Sequence, residues 1–72
     1  MDARKAFIDE FEKTWPLWGE YIKDKVSDVE SGLLDHINSP QYFSLHRTEN
    51  SEIIAELYVN NIKKRYSWKL EG

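Results

Sequence analysis

The apolar positions of this chain change period near its middle. Over residues 3–14, Ala3, Phe7 and Phe11 recur at every fourth position with Ala6 beside them, while Lys5, Asp9 and Lys13 alternate in charge. Steps of four on a 3.6-residue repeat place the apolar side chains on one face, which predicts a short amphipathic helix. Trp15-Pro16 interrupts it, because Pro lacks an N–H and turns the residue before it away from helical angles, yet suits the first position of a new helix. Ile22, Val26, Val29, Leu33 and Ile37 then return at steps of four, three, four and four, predicting a principal helix over 16–37. Gly32 inside that stripe, and Ser27 with Glu30 at capping-box spacing, mark residues 27–32 as its weak point.

From Asn38-Ser39-Pro40 onward the period falls to two. In QYFSLHR, Phe43 and Leu45 alternate with Tyr42, Ser44 and His46, and TENS follows with turn-forming residues. In RYSWKL, Tyr66, Trp68 and Leu70 alternate with Arg65, Ser67 and Lys69, and both aromatics favour strands. The segment between, IIAELYVNN, fits either a helical stripe of Ile53, Ile54, Leu57 and Tyr58 capped by Ser51, or a strand burying Ile53, Ala55, Leu57 and Val59. Its strand-like neighbours and the poor helix centre Asn60-Asn61 favour the strand. The expectation is one α+β domain over 1–72, with two N-terminal helices (3–37) packed on a three-stranded antiparallel meander (41–70). A three- or four-helix bundle is the alternative. The expected core is Phe7, Phe11, Ile22, Val26, Val29, Leu33, Ile37, Phe43, Leu45, Leu57 and Trp68.

Composition narrows the picture. Seventy-two residues suit a single small domain, and 40% apolar with 14% aromatic residues is too hydrophobic for a disordered tail. Ordering each residue costs roughly 1.5 kcal/mol, so a core this small leaves a thin margin. Without cysteine, large aromatics and self-association are the remaining means of support, and a homodimer through an open sheet edge enters the expectations. No apolar run exceeds three residues, far short of the roughly 18 a bilayer span needs. The N-terminal MDARKAFIDEF is charged and amphipathic, unlike a signal sequence, and reads as cytoplasmic.

Charge divides unevenly. Residues 1–40 carry nine acidic against five basic side chains, and residues 41–72 four against five. On the predicted helix Glu20, Asp24 and Asp28 stand four apart, with Asp35 beyond. Such a stripe is either a solvated face or a recognition surface for a basic partner protein. Trp18, beside Pro16-Leu17 and Gly19, is the tryptophan expected to be exposed as a binding anchor, whereas Trp15 and Trp68 are expected in the core. The opposing reading is a nucleic-acid module built from Arg47, Lys63, Lys64, Arg65 and Trp68, in which aromatic stacking between cations grips a single strand. The net charge of −3 runs against the usual basic footprint.

Motifs for other chemistry are absent from the sequence. Gly19, Gly32 and Gly72 form no phosphate loop. His36 and His46 lack the local spacing of paired metal ligands, so neither a metal nor a cofactor is expected. Ser44 and His46 are only two apart on one strand, with no third group to orient a base. The sequence therefore points to a non-enzymatic interaction protein, an inhibitor or regulator presenting an acidic helix face.

Overall fold

The computed structural model describes residues 2–70, and the fold is α+β. Helix α1 spans Ala3–Thr14, a 3₁₀ turn covers Pro16–Trp18, and helix α2 spans Gly19–Ser31. Four strands follow, β1 (His36–Ser39), β2 (Phe43–Arg47), β3 (Glu52–Val59) and β4 (Ile62–Lys69), as an antiparallel meander in the order β1-β2-β3-β4. The sheet thus has one strand more than the three expected, and the extra one comes from the end of the expected long helix.

Local chemistry explains each boundary. The Asp2 carboxylate accepts from the Lys5 N–H at 3.1 Å and caps α1, which ends at Trp15 because Pro16 cannot continue it. Gly19 lets α2 start close to α1, where a Cβ would lie 3.0 Å from Glu12 Cγ. Gly32 then stops α2 in a left-handed cap at φ 88°, a conformation that costs other L-residues a steric penalty. That cap corrects the helix expected over 16–37. Leu33, expected in the core, is 76% exposed beyond it, and Ile37 packs against the core from β1 rather than from a helix.

The ambiguity of IIAELYVNN resolves as a strand. Ile53, Ala55 and Leu57 are fully buried beneath the helices, and the side chains between them face away. Asn60 and Asn61 take positive φ values of 52° and 66° and join β3 to β4 in a two-residue hairpin, the backbone twist such hairpins favour. Both helices cover one face of the sheet, enclosing Phe7, Ile8, Phe11, Ile22, Val26, Val29, Phe43, Leu45, Ile53, Ala55 and Leu57. Trp15, Tyr66 and Trp68 pack partly buried around this core. No described helix is long and apolar enough to cross a membrane.

Candidate functional site

Two concavities flank the helix layer, and they differ in chemistry. One, of about 740 Å³, is lined mostly by polar and charged residues and lies between the α1 start, the α2 end and β4. At its heart Glu30 Oε2 accepts from Arg4 Nε and from the Trp68 indole N–H, each at 2.9 Å. The Glu30 carbonyl accepts from Arg47 Nη1 at 2.9 Å. These bonds tie both helices to β2 and β4, so the charged groups already serve one another. Expected core residue Trp68 therefore carries its polar tip into this network while its ring packs 6.4 Å from Phe7.

The other concavity, of about 500 Å³, is almost wholly aromatic. Phe11, Trp15, Trp18, Tyr21, Tyr42 and Phe43 line it, with Ser39 as the one non-aromatic residue. The volume falls within the roughly 300–1,000 Å³ of small-ligand pockets. Its construction follows from the chain break at Pro16. Trp15 stays with α1, packed edge-on against Phe11 at 4.9 Å, while Trp18 moves to the start of α2 and meets Tyr21 at 5.5 Å. Phe43 on β2 joins the halves, 5.4 Å from Phe11 and 6.3 Å from Tyr21, and Tyr42 closes the side at 5.6 Å from Trp15. The floor is buried, but Trp18 is 55% and Tyr42 49% exposed, so the rim opens to solvent beside the bare Leu17.

None of the expected acidic residues lines this cavity. Glu20 and Asp24 are exposed on α2, while Asp28 is half-buried with Lys25 Nζ at 3.9 Å. Lys23 lies 3.5 Å from Glu12 and 3.9 Å from Glu20, drawing part of the stripe into contacts between the helices. Asp35 is not on the helix face at all. It sits past the Gly32 cap, where its carbonyl accepts from the Arg47 N–H at 2.9 Å.

The five residues of the alternative nucleic-acid set fall on opposite faces of the sheet. Register pairs Lys63 with Tyr58 and Arg65 with Glu56 on the open face. Arg47, Lys64 and Trp68 point to the helix side, where Lys64 Nζ binds Glu10 Oε1 at 2.9 Å. That pairing holds the Glu10 carboxyl below its ordinary value and raises the Lys64 ammonium above its own. Lys63 Nζ instead stands 5.7 Å above the Tyr58 ring, whose hydroxyl reaches Glu56 Oε1 at 3.3 Å. Lys63, Lys64, Arg65 and Lys69 also line the exposed edge strand β4, a charge pattern that discourages pairing with another strand.

Trp18 is the one cavity residue singled out from sequence for binding. Tyr21, Tyr42, Phe11 and Phe43 were missed as a group, since two lie on helices and two on β2 or its hairpin. The spacing Trp15, Trp18, Tyr21, three apart across Pro16, was the available signal. Comparison with protein-family models, with curated proteins and with solved structures finds no match.

Proposed function

We propose that this protein is a docking module that receives a cationic side chain, lysine or arginine, from a basic protein partner in its aromatic cavity. The observation that carries the reading is the cavity itself, six aromatic rings with no charged residue among its lining. Aromatic faces attract cations, most strongly where water is displaced. The fold already uses that attraction twice, with Lys25 Nζ 5.6 Å from the Tyr21 ring centre and Lys63 Nζ 5.7 Å from that of Tyr58.

Charge supports the same direction. Residues 2–31, which make the helix layer, hold eight acidic against five basic side chains, so the layer as a whole favours approach of a basic partner over an acidic one. Trp18 supplies the large, partly exposed anchor that dominates interface energetics, and Glu20 and Asp24 supply the polar rim. In this reading Trp18, Glu20 and Asp24 act together, with Asp35 outside the docking surface.

Affinity capture from the native cell, with nuclease treatment, tests this reading. Proteins retained by the wild-type chain should be basic, insensitive to nuclease, and lost from both Trp18→Ala and the Asp24→Lys, Asp28→Lys double variant. Equal retention by wild type and variants would remove the proposal.

A further inference from the structure

The chain has two histidines, His36 and His46, and the β1–β2 register places them directly opposite each other. The hydrogen-bond phase decides how close they come. Arg47 N–H donates to the Asp35 carbonyl at 2.9 Å, so residues 35 and 47 form a hydrogen-bonded pair and residues 36 and 46 the adjacent non-hydrogen-bonded pair. In that phase the Cα atoms stand about 4.5 Å apart and side chains on one face approach most closely, with Cβ atoms separated by roughly 4.5–5.5 Å.

Both histidines are exposed, and both lie on the sheet face that the helices leave open. Their direct cross-strand neighbours are uncharged, and the carboxylates of Glu52 and Glu56 lie diagonally from His46 along β3 on the same face. Ile54 is the neighbour of His46 on β3, and Asn38 and Ser44 form the next cross-strand pair on the same face. Neither imidazole takes a hydrogen bond from another side chain among the described residues, leaving ring nitrogens available as ligands.

We propose that His36 and His46 form a two-imidazole chelate for a first-row transition-metal ion such as Ni²⁺, Cu²⁺ or Zn²⁺. Imidazole is a preferred ligand for all three. Zinc–nitrogen bonds of about 2.0–2.1 Å in tetrahedral geometry put two donor nitrogens about 3.3 Å apart, a span that two rings on adjacent strands reach from the Cβ separation above. Among the described residues no third His, Asp or Glu joins the pair, so water completes the coordination sphere. The ion is therefore accessible and exchangeable, and it clamps the four-residue edge strand β1 to β2. This inference is independent of the aromatic cavity, which lies on the helix side of the sheet.

The test is calorimetric titration of the tag-free chain with NiCl₂ and with ZnCl₂, and with MgCl₂ as the hard-cation control. The expected result is one saturable Ni²⁺ or Zn²⁺ site per chain and none for Mg²⁺. Because the chelate gains from the high effective concentration of its second ligand, His36→Ala and His46→Ala should each weaken binding by roughly 10²-fold. Both positions are exposed, so circular dichroism spectra of the variants should match wild type. Absence of saturable binding in the wild-type chain, or binding that either variant leaves unchanged, would overturn the proposal.

Discussion

Replacing Ile53 and Ile54 one at a time by alanine tests the parity of β3, on which the placement of every residue in the sheet rests. Ile53 has no solvent exposure and sits in the core, whereas Ile54 lies half-buried on the open face between His46 and Ser67. Truncating a fully buried isoleucine costs about 2–5 kcal/mol, the sum of lost transfer energy and the cavity left behind. An isoleucine on an open sheet face loses cross-strand contacts of about 0.2–1 kcal/mol. A domain of this length has roughly 4–11 kcal/mol of stability in all, so Ile53→Ala removes a large share and Ile54→Ala little. Urea unfolding followed by tryptophan fluorescence reads the difference. With a slope of about 1 kcal/mol per molar for a small domain, the midpoint falls by about 2–5 M for Ile53→Ala and by less than about 1 M for Ile54→Ala. Equal losses, or a larger loss at Ile54, would refute the strand, since a helix here would bury both side chains on one face.

Further expectations come from the same contacts. Glu30→Ala should destabilise by about 1–3 kcal/mol, because it strands the Trp68 indole N–H and the Arg4 guanidinium, and a shifted Trp68 indole signal in NMR should accompany the loss. Gly32→Ala should cost about 1 kcal/mol in the same urea assay, because alanine is strained at φ 88° and its Cβ would stand 3.2 Å from Arg47 Nη1. Lys64 holds the Glu10 carboxyl below its ordinary 4.5, so this pair's contribution is full above that value and is lost as pH falls through the lowered one. Glu10→Gln should accordingly flatten the acid side of the stability–pH curve, and an unchanged acid limb would show that the pair contributes nothing. Trp18→Ala should cost at most about 1.5 kcal/mol in the same urea assay, the scale of its edge-on contact with Tyr21, while abolishing partner capture, separating binding from folding.

Much of the architecture was legible from periodicity because two different periods are cleanly separated in the chain. Phe7 with Phe11, Ile22 with Val26 and Val29, and Phe43 with Leu45 all took the buried positions that their spacing assigned. The fourth strand was not legible. Leu33 and Ile37 continue the helical stripe numerically, and only the left-handed cap at Gly32 shows that the stripe has ended. Asn60-Asn61 reads in the sequence as a poor helix centre, and in the fold it is the turn of a hairpin, at positive φ on both residues.

Site residues were harder to foresee, since each site is assembled by tertiary contact. Trp18 was identified as exposed from its Pro and Gly neighbours, but its partners Tyr42 and Phe43 arrive from residues far along the chain. Sequence spacing spread the acidic stripe to Asp35, which the end of α2 removes from the helix face. The histidine pair was hidden for a related reason. Local spacing on one element cannot show it, yet His36 and His46 are equidistant from the centre of the Pro40–Tyr42 turn, and that symmetry sets them opposite each other.

The docking account is tested most directly by the three indole N–H signals of the ¹⁵N-labelled chain, titrated with a short arginine-rich peptide. Trp15 and Trp18 line the aromatic cavity, whereas the Trp68 N–H is bound to Glu30 on the other side of the helix layer. The account predicts progressive, saturable shifts of the Trp15 and Trp18 signals, a still Trp68 signal, and no response to a glutamate-rich peptide. Shifts confined to Trp68, or no movement of Trp15 and Trp18 at any peptide concentration, would contradict it.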